Sequence, residues 1–431
     1  MNSLRIAVIG LLFAGVTLAQ QSLQDSINTV IPGEDFTKVA TSIGQFLKIE
    51  SGAPGSGVAG AYTALAKGAV AIPWNPAGIA FVDGPDLYVS SMQMYAGIQN
   101  HFMGLVYPMG GGNFIGFSAQ YMNSGDMKVT TLDFPDGTGE NFQVMDVAVG
   151  ATFTRRLTDR LAVGVTSKWV RQEIYREIAS TFAFDVGSNF DLGIYGMTLG
   201  MAIQNFGGST RYDGPDLNQE VDISPDLIGN PVVVSRLLTE EWPLPLVFRL
   251  GLASDIIGGK SPWIQSSVNR LTILLDANDP NDATLRGALG FEYAWNDMIF
   301  FRGGYKLNYE WLTTYDQYRV DYNGTYDLGE YFVDANGNSR WDWEDGNDNG
   351  TFDPDYDSYE DFTDGLRVKT GSVDRYSWDS SYGEGRYSLR KLSLGFGAKY
   401  NMYGTKLLFD YSYSNYGILG MVTQVSLGLT F

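Results

Sequence analysis

The 431 residues contain no cysteine and a single histidine, His101. Without thiols there is no disulfide framework and no thiolate nucleophile. One imidazole excludes a multi-histidine zinc site and leaves a Ser-His-Asp arrangement little material. No catalytic residue is nominated, and the chain reads as a non-enzyme. Excess positive charge is missing too: 29 Lys and Arg face 49 Asp and Glu, a net charge of −20 that argues against nucleic acid as a partner. Long apolar runs are also absent. After the stretch from Ile6 to Leu18, nothing reaches the roughly 18 residues a transmembrane helix needs. A membrane protein of this sequence must therefore cross as a closed barrel. Gly110-Gly111-Gly112 has no helix after it, so it reads as a hairpin turn and not as a phosphate cradle.

Residues 1–19 read as a secretory signal, with Arg5 before the apolar run and Thr17-Leu18-Ala19 as a small-x-small cleavage site. From residue 85 onward the pattern changes to strict alternation. Fourteen segments of strand length follow, at about 87–94, 102–109, 113–122, 143–155, 160–172, 181–190, 195–205, 246–254, 263–275, 285–294, 298–308, 389–400, 405–413 and 422–431. In the tenth, Leu285, Leu289, Phe291 and Tyr293 share one face while Arg286, Ala288 and Glu292 share the other. In the last, Val425, Leu427, Leu429 and Phe431 oppose Gln424, Ser426 and Thr430. Alternation alone fits either a membrane barrel, apolar outside, or a soluble sandwich, apolar inside. The connections favour the barrel. Short ones (110–112, 156–159, 191–194, 255–262, 295–297, 401–404) alternate with longer ones (123–142, 173–180, 206–245, 276–284, 309–388, 414–421), as short inner turns and long outer loops would. Only 95–101 breaks the trend. The 52 glycines and 59 aromatics suit turns and interfacial girdles, and the last alternating segment finishes on the aromatic Phe431.

Between signal and strands lies a segment rich in small residues, Gly57 to Ala80, ending in Trp74-Asn75-Pro76-Ala77-Gly78. Its small residues suit a closely packed helix, which Pro73 and Pro76 would stop by Ile72. The result should be a compact, kinked plug. This segment resembles the signature of the FadL/PorV superfamily of outer-membrane β-barrels, and the preceding Gln45-Phe46-Leu47-Lys48-Ile49 resembles the PorV/PorQ branch. Ala53-Pro54-Gly55 stands where relatives carry Ala-Arg-Ala, so that arginine has no counterpart here. The resemblance implies an all-β transmembrane barrel of about 14 antiparallel strands with an N-terminal hatch or plug, located in the bacterial outer membrane. The expected domains are the signal peptide (1–19), the hatch (20–84, with Asn75, Pro76, Ala77 and Gly78 as its motif) and the barrel (85–431). Lys168, Asp185, Arg249, Glu292, Arg302, Lys306 and Asp410 fall on inward positions and could form a lumen network; they read as ion pairs that hold the plug ahead of the alternative, a transport path.

The connection 309–387 holds 19 acidic residues against 6 basic ones. Within it, Asp334-Ala-Asn336-Gly-Asn338-Ser-Arg-Trp341-Asp342 is echoed by Asp345-Gly-Asn347-Asp-Asn349-Gly-Thr-Phe352-Asp353. Oxygen ligands at alternating positions suit Ca²⁺. On EF-hand spacing, Asp334, Asn336, Asn338, the Arg340 carbonyl, Asp342 and Asp345 fill the ligand positions, although Ser339 stands where the turn glycine belongs. The expected cofactor is thus Ca²⁺ in an outer loop, and the alternative is a solvated acidic loop. Expected partners are outer-membrane lipid and either proteins or a small molecule. A PorV-like chain would bind secretion-machinery or exported proteins in type IX secretion. A FadL-like chain would be a channel for hydrophobic small molecules such as long-chain fatty acids or hydrocarbons. The first is favoured by Gln45–Ile49 and the acidic loop. A surface-structural barrel is a third reading.

Overall fold

The computed structural model describes residues 41–221, 233–283, 285–308, 392–416 and 420–431, and two short strands, Trp343–Glu344 and Ser358–Tyr359. Fourteen strands form one closed antiparallel barrel. They are β1 (Asp86–Gln93), β2 (Gln99–Gly110), β3 (Asn113–Asn123), β4 (Val144–Arg156), β5 (Leu161–Ile174), β6 (Glu177–Asp191), β7 (Thr198–Gly207), β8 (Val247–Ile257), β9 (Asn269–Pro280), β10 (Arg286–Trp295), β11 (Ile299–Asn308), β12 (Leu392–Met402), β13 (Thr405–Asn415) and β14 (Met421–Thr430). Each pairs with its sequence neighbour. The ring closes where β1 meets β14, in unbroken register from Asp86↔Thr430 to Gln93↔Thr423. Closure leaves no unpaired edge, which is the condition for a sheet to cross lipid.

The two faces resolve the ambiguity left by alternation. Phe117, Phe153, Phe182, Phe291, Phe301 and Leu427 point outward and are exposed. Their neighbours Gln120, Thr152, Thr154, Asp185, Glu292, Arg302 and Gln424 point inward and are buried. An apolar outside and polar inside is the arrangement of a barrel bathed in lipid, not of a soluble sandwich. No described helix is long and apolar enough to cross a membrane. At the short-turn end Tyr195 packs on Trp263 with ring centroids 4.6 Å apart, a fragment of an interfacial girdle.

Three sequence expectations are corrected. The long connection expected at 173–180 is a two-residue turn at 175–176, because Tyr175 adopts φ 58° and lets Ile174 pair directly with Glu177. β7 begins at Thr198 and β9 at Asn269, later than alternation suggested. The residues before them are spent on turns in which Tyr195, Gly258, Gly259 and Ser261 take positive φ. The helix expected within 57–72 does not form. A five-residue helix, α1 (Ala53–Gly57), and short 3₁₀ turns at Ala69–Ala71 and Pro76–Phe81 take its place.

Candidate functional site

The lumen is occupied by residues 41–82, which run from the outer loops down to the start of β1. Positive φ at Gly52, Gly60 and Gly68 (105°, 86° and 80°) turns this segment back on itself, and Pro54 fits the first turn of α1, where no amide donor is needed. Its path hugs the wall wherever the wall offers glycine. A Cβ on Gly304 would sit 2.2 Å from the Val58 backbone, one on Gly187 2.2 Å from Asn75 Oδ1, and one on Gly164 2.7 Å from the Pro76 backbone. These inward glycines let the segment lie against the wall where any larger wall residue would collide with it.

The Trp74–Gly78 motif pins the lower half. Asn75 caps the Pro76–Phe81 turn, its Oδ1 accepting from the Ala77 amide at 3.1 Å. Its Nδ2 donates to the carbonyls of Thr63 (3.2 Å) and Ser188 on β6 (2.9 Å). Thr154 Oγ1 on β4 donates to the Pro76 carbonyl at 2.8 Å. The Gly78 amide donates to the Asn75 carbonyl at 2.9 Å, and a Cβ at Gly78 would meet the Ala66 carbonyl oxygen at 2.4 Å. Trp74 is 1% exposed. Its indole donates to the Ser51 carbonyl at 2.8 Å, and the Arg249 guanidinium lies over its ring at 5.1 Å. A Cβ on Gly55 would sit 2.3 Å from that indole, which accounts for a small residue within Ala53-Pro54-Gly55.

The upper half is held differently. Ser42, Gln45 and Lys48 all converge on Asp282 in the β9–β10 connection, with Lys48 Nζ 2.7 and 2.8 Å from its two oxygens. Burial alone would raise the Asp282 pKa. Hydrogen bonds from Gln45, Lys48 and Ser42, with the charge of Lys48, outweigh it and hold the carboxyl below its usual range. Ile43 and Phe46 fill an apolar pouch walled by Ala148 (β4), Val170 (β5), Ala179 and Ala183 (β6) and Leu244, with Leu47, Ile49, Met122 and Tyr212 packed against it. Burial, then the charge of Asp146, pushes the Tyr212 phenol up to about 12, so it meets the pouch uncharged.

The seven inward charges do not form one network. Lys168 pairs with Asp185 at 2.8 Å and also donates to Asn205 Oδ1 at 2.5 Å. Across the barrel, Arg302 bridges Glu292 (2.8 Å) and Asp410 (2.6 Å), and Arg270 joins through Glu292 at 3.1 Å. Lys306 reaches the luminal segment itself, pairing with Glu50 at 2.7 Å, and Arg249 donates from Nε to Gln204 Oε1 at 2.7 Å. Sequence reasoning missed Glu50, Arg270 and Asp276, whose Oδ2 accepts from the Thr63 amide at 2.9 Å. It also missed Asp282. Asp276 was missed because the expected strand stopped at 275, whereas the observed one runs on to Pro280; Glu50, on the luminal segment, carries no periodic signal. Small cavities lie beside the segment. One of about 30 Å³ includes Leu47, Ile72, Phe102 and Lys168, and one of about 90 Å³ includes Lys48, Glu50, Arg249 and Lys306.

His101 points outward and stacks on Tyr121 at 6.2 Å. Among the described residues no group of three or more His, Cys, Asp or Glu could hold a metal. The eight calcium positions from Asp334 to Asp353 lie outside the described residues.

No family model matches the chain, and no curated protein matches it. Solved structures do. The Pseudomonas putida toluene transporter TodX shares 11% identity over 88% of this chain and 96% of its own, with a TM-score of 0.45. The Ralstonia pickettii toluene transporter TbuX shares 11% over 89% and 98%, with a TM-score of 0.43. A Pseudomonas aeruginosa FadL homologue shares 13% over 88% and 98%, with a TM-score of 0.42. At such identities the likeness is one of fold.

Proposed function

We propose that this barrel is a channel of the bacterial outer membrane for small hydrophobic molecules, with the luminal segment as its gate. The observation that supports this most is the pouch. Barrel lumens are ordinarily polar, yet here β4, β5 and β6 turn Ala148, Val170, Ala179 and Ala183 inward, and the chain fills the space with its own Ile43 and Phe46. A site that accepts a phenyl ring from its own chain has the chemistry to accept one from outside. The reading as a secretion partner leaned on Gln45–Ile49 and on the acidic loop, and the loop lies outside the described residues. In this fold Gln45 and Lys48 are spent on Asp282 and Phe46 is buried, so the motif is occupied inside the barrel.

The test is permeation of an apolar aromatic solute into vesicles carrying the purified protein. Phe46→Ala should empty the pouch and speed entry, and Ala183→Trp should overfill it and slow entry. Wild type and both variants permeating no faster than protein-free vesicles would end this reading. A barrel that instead retains exported proteins, with no solute flux, would restore the secretion reading.

A further inference from the structure

The outer wall carries a dent that the channel reading does not use. The registers of β14, β1, β2 and β3 align their outward residues in two rows. Nearer the outer loops, Val425, Ser91, His101 and Tyr121 lie side by side; one step toward the membrane centre stand Leu427, Val89, Met103 and Ala119. Ser91 and Ala119 are small where most outward positions are large. Together these rows bound an open cavity of about 430 Å³. That is within the range of roughly 300–1,000 Å³ typical of small-molecule sites.

The dent is two-toned. Its inner row is apolar throughout, Leu427, Val89, Met103 and Ala119, and its outer row offers the Ser91 hydroxyl, the His101 imidazole and the Tyr121 phenol, with the two rings stacked. The wall beneath is sealed. β1 pairs with β2 without a break from Asp86↔Val106 to Gln93↔Gln99, and β1 with β14 equally, so the dent has no opening through these seams to the lumen. An occupant must therefore come from the lipid phase. It must be apolar along the depth of the membrane and polar at the outer interface.

We propose that this dent seats one acyl chain of an outer-leaflet lipid, with the oxygens of its head group at His101 and Tyr121. The position decides the occupant: the dent lies in the outward face that lipid already covers, on the outer side of that band. A seated chain fills space that two small side chains leave empty, where a disordered neighbour would pack poorly. Its polar end meets the hydroxyl and imidazole groups that would otherwise face hydrocarbon.

The test compares lipid retained by protein extracted from native membranes in mild detergent. Wild type should keep a stoichiometric lipid, measured by mass spectrometry after organic extraction. The double variant Ser91→Phe, Ala119→Phe fills the dent with side chains suited to a lipid-facing wall, and retention should fall several-fold. Ala151→Phe, outward on β4 and away from the dent, should keep the lipid. Heat-dependent gel migration reports that each barrel has closed. Equal retention by wild type and the double variant, equal loss in Ala151→Phe, or no lipid above the detergent baseline in wild type would each overturn the proposal. So would a protein, or an apolar solute without a head group, recovered in the lipid's place. Failure here leaves the permeation test untouched, because the two sites lie on opposite faces of the wall.

Discussion

The two halves of the luminal segment are gripped by different physics. The lower half, from Thr63 to Phe81, is held through its backbone. Asn75 and Thr154 satisfy its peptide groups, and wall glycines let it approach so closely that a methyl group would collide. The upper half, from Ser42 to Glu50, is held mainly through side chains: a charged cluster on Asp282, an ion pair from Glu50 to Lys306, and Phe46 in a pouch, with two backbone bonds, Ile43 to Pro243 and Gln120 to Phe46, beside them. Backbone locks are local and hard to undo without unfolding. Side-chain grips release one at a time, by protonation, competition or displacement. On the channel proposal, the lower half would serve as a fixed root and the upper half as the tip that releases.

The sharpest way to break this contrast is at its root. Asn75→Leu removes three hydrogen bonds from buried backbone groups and drives a branched side chain toward Gly187. Each orphaned group costs about 1–3 kcal/mol, so the lower half should lose on the order of several kcal/mol of support. The barrel should still close, as judged by gel migration, while single-channel recordings show a persistent leak. Unchanged conductance and unchanged protease resistance of the segment would mean the root does not depend on this residue.

A smaller effect is expected at the tip. Asp282→Asn keeps an acceptor for Ser42 but removes the charge that Lys48 and Gln45 share, a loss of about 1–2 kcal/mol. Limited proteolysis should then cut near residues 41–50 without exposing residues 63–81. Equal cleavage of both stretches would show that the halves move as one body.

The smallest effect is a matter of pH. The Asp282 carboxyl is held below its usual value, so its contribution is fully present above the unfolded-state pKa of about 3.9 and is lost as pH falls through the lower folded value. Tip cleavage should stay constant from neutral pH down to about 4 and rise only below that. In Asp282→Asn this rise should vanish. A transition near pH 6 would point to another group.

How far the sequence carried these conclusions depends on the type of signal. Strand alternation was legible because lipid imposes it on every strand, as at Leu289 and Phe291 outward against Ala288 and Glu292 inward. The kink at Asn75-Pro76 was legible because proline and a capping asparagine act locally. The turn at 175–176 was hidden because it lacks glycine and asparagine. Tyr175 holds positive φ while packing edge-on against Phe142 at 5.8 Å and under Arg176 at 5.2 Å, contacts no local rule supplies. The missing helix after Gly57 is a tertiary override: Ala59 and Gly60 take positive φ where the chain bends along the wall at Gly304. Asp282 was illegible for a simpler reason. It is one carboxylate among many, and only the fold brings it to Lys48, 234 residues away.

The seam between β1 and β14 also sets an order of events. The amide of Ala53 donates to Ser426 Oγ at 3.0 Å, and Ser56 Oγ donates to Gln424 Oε1 at 2.6 Å, bonds that span 373 and 368 residues. These two residues are made early yet complete their contacts late, since the partners arrive only with the final strand. Contacts so distant in sequence are slow to form. Until β14 docks, α1 has nothing to hold on that side. Zipping the last seam and completing the hold on α1 are accordingly one closing step, and a chain truncated before β14 would lose both together.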